Sequence, residues 1–246
     1  MKKVIVGIIG CGTIANSAHI PAYLKNEDVE IKYFCDIIPE RAKAAVEKYG
    51  CGIAVEDYHR VLEDPEVEAI SVCTPNRMHA IIAIDAMRAG KHVLCEKPAA
   101  SNAAELQRMR AAAENGQAVL LEAMRSVYDP GFQAIEANLY RLGKIRSVSF
   151  RFCQYSSRYD NFRKGIIENA FRPELSNGAL MDIGVYCVHP LVRLFGMPEK
   201  IEGASVFLEN GVDGMGTILA QYPGWQAVLQ YSKITSGYTE SEVQGE

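Results

Sequence analysis

A doubly wound parallel α/β sheet, followed by an α+β half with an open and mostly antiparallel sheet, is the fold class this 246-residue sequence predicts. Two observations lead there. From Val4 to Leu121 short apolar runs alternate with segments of helical period, the pattern of β-α-β units. After about Glu122 the pattern changes to strands with one polar and one apolar face. The implied division is residues 1–122 for the first domain and 123–246 for the second.

The elements follow in order. Val4–Ile9 is a continuous apolar strand, the segment from Ile14 to Lys25 reads as a helix, and Ile31–Cys35 reads as the second strand. Pro39–Tyr49 is a helix with Pro at its start and Gly50 just past its end, the favoured asymmetry. Ala69–Cys73 is a strand, His79–Ala89 a helix stopped by Gly90, and His92–Cys95 a strand. Ser101–Asn115 is a helix with Ser101 as expected N-cap, and Ala118–Leu121 closes the series. In the second half a helix is expected near Gly131–Leu142. Ile145–Tyr155 is a half-buried strand, since Val148, Phe150 and Phe152 alternate with Ser147, Ser149 and Arg151. A helix over Leu180–Phe195 precedes strands at Ile201–Leu208, Gly216–Tyr222, Ala227–Ile234 and Tyr238–Val243.

Composition narrows the function classes. Hydrophobic residues are 48% and charged residues 23%, as in soluble globular proteins. The net charge of -4, with no basic stripe, argues against nucleic acid as a partner. Seven scattered cysteines without a C-x-x-C pair point to reduced thiols, to no metal site and to a cytoplasmic setting. No apolar run approaches the length that spans a membrane, so no membrane partner is expected.

Gly10-Cys11-Gly12-Thr13-Ile14-Ala15 is a G-x-G-x-x-A string placed after a strand and before a helix, the context that gives the motif meaning. Gly10 permits the tight turn, Gly12 lets the backbone approach a pyrophosphate, and Ala15 keeps the helix close to the sheet. The N–H groups that open the helix, around Thr13 and Ile14, favour an anion. Asp36, at the end of the second strand, stands where an acid would bind the ribose hydroxyls and repel a 2′-phosphate. The expectation is a Rossmann domain that takes NAD, with NADP as the lesser alternative; capping of the Pro39 helix is a compatible role for Asp36. Cys11 reads as a small filler; Arg41, in the first turn of the Pro39 helix, reads as a solvated residue, with reach to a 2′-phosphate as the alternative.

Two further strand ends carry chemistry. Thr74-Pro75-Asn76 leads through Arg77 and Met78 to His79, and Glu96-Lys97-Pro98 follows the His92–Cys95 strand. Ligands of open α/β sheets bind beyond such carboxyl ends. In the helix from Asp182, a 100° step per residue puts Asp182, Tyr186, His189 and Arg193 in one stripe, opposite Ile183, Cys187, Val188, Leu191, Leu194 and Phe195. A solvated polar face and a proton-transfer face both fit that stripe.

Taken together, GCGTIA with His19-Ile20-Pro21 after it, Asp36, CTPNRMHA, Glu96-Lys97-Pro98 and NGALMDIGVYCVHP resemble the Gfo/Idh/MocA family of oxidoreductases, in the branch of glucose–fructose oxidoreductase and dihydrodiol dehydrogenase. The resemblance implies a dehydrogenase or reductase that moves a hydride between a nicotinamide dinucleotide and a carbinol or carbonyl carbon of a sugar, cyclitol or related polyol. It implies Lys97 beside the nicotinamide, Tyr186 as acid/base, and Asp182 orienting the substrate or Lys97. An ammonium within ~4–6 Å would favour the phenolate of a group whose ordinary pKa is ~10. Thr74, Pro75, Asn76, His79, Glu96 and Lys97 are expected at the cofactor, and His189, Arg172 and Asn177 at the substrate. The resemblance also implies a cis Lys97–Pro98 peptide and, if the C-terminal sheet is complete, a homodimer or homotetramer built through that sheet. Because relatives continue past Ser241–Glu246 with more strands and a helix, the chain is expected to be a fragment or early stop, with a less stable sheet. The competing reading is a dinucleotide-binding sensor without turnover, against which Lys97 and Tyr186 argue.

Overall fold

The computed structural model describes residues 2–246, arranged as two compact units that divide after Ala123.

The first unit is a six-stranded parallel sheet in the order β3-β2-β1-β4-β5-β6, the doubly wound arrangement. β1 (Val4–Ile9) leads into a π-helical turn, Ala15–His19, that continues as α1 (Ile20–Leu24). The expected Ile14–Lys25 helix is thus two kinds of helix in series. β2 (Val29–Cys35) starts two residues earlier than expected, and α2 (Pro39–Tyr49) ends at Gly50 in the left-handed region, φ 67°. β3 (Ile53–Val55) and α3 (Tyr58–Leu62) are too short to show a period and were not expected. β4 (Ala69–Val72) leaves Cys73 in the turn, and α4 (Asn76–Arg88) starts three residues before His79 because Pro75 caps it in extended conformation. β5 (His92–Cys95), α5 (Ala103–Asn115) and β6 (Leu120–Glu122) complete the unit. The N-cap of α5 is Asn102, not Ser101: Asn102 Oδ1 accepts from Glu105 N at 2.9 Å, while Ser101 N donates to the Glu105 carboxylate. Ile8, Phe34, Ile70, Met87 and Met109 are fully buried on the two faces of this sheet.

In the second unit α6 (Pro130–Asn138) is capped by Asp129, and its last expected turn, Leu139–Leu142, is 3₁₀. β7 (Ile145–Cys153) is followed by α7 (Ser157–Phe162), again too short to be legible. A π-helical turn, Leu180–Gly184, runs into α8 (Val185–Phe195). β8 (Lys200–Phe207), β9 (Asp213–Tyr222), β10 (Trp225–Ser232) and β11 (Glu242–Gly245) follow, the last displaced four residues beyond the expected start at Tyr238. The sheet order is β11-β7-β10-β9-β8, antiparallel except for the parallel β7–β10 pair. α8 lies on one face of it, where Cys187 and Leu191 pack with Val148, Ala220, Ala227 and Leu229. The helical stretch Pro173–Phe195 is long and apolar enough to cross a membrane by length and composition alone, a test that the core helix of a soluble protein also passes. It is broken into 3₁₀, π and α pieces, and Cys187 and Leu191 are spent on the sheet.

Candidate active site

In the first unit the carboxyl ends of β1, β2, β4 and β5 gather the expected dinucleotide residues. Gly10 has φ +95°, and a Cβ there would stand 2.6 Å from the Cys73 carbonyl oxygen and 2.9 Å from Thr74 N, so only glycine lets the turn lie against the end of β4. A Cβ on Gly12 would meet nothing within 4 Å, which leaves open space in front of the loop. Thr13 and Ile14 face outward and Ala15 is fully buried against the sheet. Asp36 is 7% exposed; its Oδ2 accepts from Cys11 N and its Oδ1 from Ile38 N, both at 2.9 Å. The carboxylate therefore ties the glycine loop to the entry of α2, and each oxygen retains lone pairs for further donors. Cys11 is buried with its thiol pushed up to about 12, chiefly by desolvation, which makes it the inert filler expected.

Thr74 supplies the observation that tests the fit of a dinucleotide. Its Oγ1 is buried and has no hydrogen-bond partner, beside the Gly10 turn at the end of β4. Orphaned buried polar atoms are rare and mark places where a ligand group completes the set. With Gly10, Gly12 and Asp36, it makes a cradle that fits a nicotinamide dinucleotide; Pro75 and Asn76 open α4 next to it.

Two expected cofactor residues are also tied into the fold. His79 is 1% exposed, with Nδ1 2.8 Å from the Pro98 carbonyl and Nε2 2.8 Å from the Thr74 carbonyl. Both ring nitrogens are engaged by backbone carbonyls, so His79 braces the turns after β4 and β5 against each other. Burial lowers its pKa while the two carbonyls favour the protonated ring. Glu96 is likewise turned inward. Its Oε1 is 2.7 Å from His19 Nε2, its Oε2 accepts from Lys97 N at 3.1 Å, and His19 Nδ1 is 2.9 Å from Ser71 Oγ, which in turn accepts from Tyr23. Sequence reading placed His19 in a motif without assigning it a role; its buried position in this network is visible only once α1 and β4 are adjacent. Lys97 itself is half-buried directly after β5, and the Lys97–Pro98 peptide is cis, as the resemblance implied.

In the second unit Asp182 sits in the π turn and Tyr186 in the first turn of α8, its ring edge-on to Phe152 at 5.6 Å. The wider π turn breaks the 100° arithmetic of the predicted stripe. It is Asp182 that the turn displaces; Arg193 stays seven residues after Tyr186 on α8 and pairs with Glu136 on the surface. His189 is half-buried on α8. Arg172 donates to the Ile167 carbonyl and Asn177 to the Asn169 carbonyl, so both brace the loop that precedes the π turn. The residue missed entirely is Lys233, whose Nζ lies 2.6 Å from Asp182 Oδ2. A lysine at the end of an alternating strand reads as solvent-facing, and nothing in its neighbours signals otherwise.

Against known families, residues 4–123 match the model described as "Oxidoreductase family, NAD-binding Rossmann fold", and residues 135–246 match the GFO/IDH/MocA C-terminal domain. The scyllo-inositol 2-dehydrogenase (NADP(+)) of Bacillus subtilis is 43% identical over 220 residues, 89% of this chain and 67% of that protein. The trans-1,2-dihydrobenzene-1,2-diol dehydrogenase of Mus musculus is 31% identical over 89% of this chain and 65% of its own length. Among solved structures, a 3-ketoreductase from Actinomadura kijaniata in complex with NADP and TDP-benzene superposes with a TM-score of 0.86 at 28% identity, covering all of this chain and 74% of that one. With both of its units matched, the chain belongs to the GFO/IDH/MocA family and is an NAD(P)-dependent oxidoreductase.

Proposed function

We propose that the protein oxidises a carbinol carbon, or reduces the matching carbonyl, of a sugar, cyclitol or related polyol, with NAD preferred over NADP. When bound, the dinucleotide supplies or accepts the hydride. In the oxidative direction the substrate would give up the hydride of its carbinol C–H to the bound dinucleotide, while Tyr186, as the phenolate, would take the proton of its O–H and become the phenol. Lys97 is the cationic residue at the cofactor end, and Asp182 orients the substrate hydroxyl. Gly10, Gly12, Thr74 and Asp36 hold the dinucleotide. The observation that carries this reading is the pairing of a tyrosine with an acid one turn earlier, the acid held by a buried lysine. Such a pair suits proton exchange at a hydroxyl better than a solvated face.

The polyol class is supported by the Bacillus subtilis relative, and the NAD preference by Asp36 followed by Ile37 and Ile38 instead of a basic residue. Assembly as a homodimer or homotetramer through the C-terminal sheet is supported by β8, which exposes Ile201, Val206 and Phe207. A cytoplasmic setting is supported by seven free cysteines. The test is incubation of the protein with NAD or NADP and scyllo-inositol, myo-inositol and common aldoses, following absorbance of the reduced cofactor. Tight cofactor binding with no turnover on any of them would instead favour a sensor.

A further inference from the structure

Lys233 is the least accessible cation of the second unit that the chemistry above does not use. It follows β10 directly, its main-chain N donates to the Gly214 carbonyl at 2.9 Å, and the residue is 2% exposed. Its Nζ donates to Asp182 Oδ2 at 2.6 Å and to the Ala170 carbonyl at 3.1 Å, and lies 4.6 Å from the centroid of the Phe171 ring. An ammonium this deep is costly unless paired, and breaking such a pair leaves an uncompensated charge. Its aliphatic stem and head are therefore held by fold, carboxylate, carbonyl and ring together.

The acid on the other side is held just as firmly. Leu180 N donates to Asp213 Oδ2 at 2.7 Å and Asp182 N to the Gly178 carbonyl at 3.0 Å, so the π turn is pinned at both places. A Cβ on Gly184 would meet the Tyr231 ring at 2.9 Å; glycine there lets the turn lie flat on β10, two residues before Lys233. The Asp182 side chain remains 28% exposed where that of Lys233 is 3%. One end of the ion pair is thus sealed and the other faces outward.

We infer that Lys233 is a positioning residue for the reaction: it acts through Asp182, fixing that carboxylate in one orientation four residues ahead of Tyr186. The inference rests on the assignment of Asp182 to the active site made above. Lys233 touches neither substrate nor cofactor in this account, so its loss should lower turnover without weakening dinucleotide binding.

The experiment compares Lys233→Met, Lys233→Arg, Asp182→Asn and the double variant Lys233→Met/Asp182→Asn, using whichever polyol or aldose of the panel turns over fastest. Cofactor affinity is read by fluorescence of the bound reduced nicotinamide, alongside kcat and KM. Lys233→Met is expected to lose kcat ~10-fold or more, a smaller loss than the ~10²–10⁴-fold of removing the acid/base itself, with cofactor Kd unchanged. Lys233→Arg should recover part of that loss. The double variant, which removes both charges and so folds even if Lys233→Met does not, should be no slower than Asp182→Asn. A Lys233→Met enzyme with full kcat, or a double variant markedly slower than Asp182→Asn, overturns the positioning role. Full turnover in Asp182→Asn overturns the assignment of Asp182 instead, and the role of Lys233 falls with it.

Discussion

Asp36 joins local structure to the cofactor choice proposed above. Its oxygens already accept from Cys11 N and Ile38 N, so the carboxylate is fixed at the mouth of the glycine loop before any ligand arrives. A 2′-phosphate placed there would meet a buried negative charge, and the residues that follow directly, Ile37 and Ile38, carry no compensating cation. NAD should therefore bind more tightly than NADP in a fluorescence titration, and Asp36→Ala should narrow the gap; tighter NADP binding in the unaltered protein contradicts this. The NADP named for the Bacillus subtilis relative makes the comparison a sharp one. Thr74 gives a second residue-scale test. An unpaired buried hydroxyl costs ~1–3 kcal/mol, so Thr74→Val should leave the melting temperature of the ligand-free protein unchanged or higher while weakening dinucleotide binding. A melting temperature that falls, with cofactor affinity intact, would show that Oγ1 serves the fold and not the ligand.

At the scale of elements, the parallel unit was largely legible because each long strand and helix carries its own period and stop: Pro39 and Gly50 bracket α2, and the apolar run Val4–Ile9 ends at Gly10. What was not legible was short or unusual. β3, α3 and α7 span too few residues to display a period, and π-helical turns have a repeat that no 100° analysis detects. The same limit governs the site. Gly10, Asp36, Lys97 and Tyr186 lie in strings whose order gives them away, whereas Lys233 and His19 acquire meaning only from partners 51 and 77 positions distant, Asp182 and Glu96. His79 was legible as special but not as a brace between two backbone carbonyls. On α8 the competing assignments are Tyr186 and His189, one helical turn apart. Losing a positioned acid/base costs ~10²–10⁴-fold in rate, and Tyr186→Phe should show that loss at unchanged cofactor affinity. If His189→Ala is the crippling change and Tyr186→Phe is mild, the proton is handled by His189.

For the whole molecule, two units with separate cores divide the work: the first carries the dinucleotide cradle, the second the acid, its buried lysine and the tyrosine. The second unit also has a sheet with one face on α8 and the other, by the two-residue alternation, presenting Met215, Leu219 and Val228. Beside them β8 exposes Ile201, Val206 and Phe207 at an edge, a surface that association would cover. Sedimentation should accordingly find a dimer or larger assembly, and a monomer at all concentrations would contradict assembly through this sheet. The central proposal is that this chain moves a hydride between a nicotinamide dinucleotide and a polyol carbon, and that the reaction needs both Lys97 and Tyr186. Its most direct test is the absorbance of reduced cofactor when the protein is mixed with NAD and scyllo-inositol, myo-inositol or aldoses, run beside Tyr186→Phe and Lys97→Ala. The account predicts steady formation of reduced cofactor with at least one of these polyols, nearly abolished in both variants while both still bind NAD. Turnover undiminished in the two variants, or none at all in an unaltered protein that binds NAD, would contradict it.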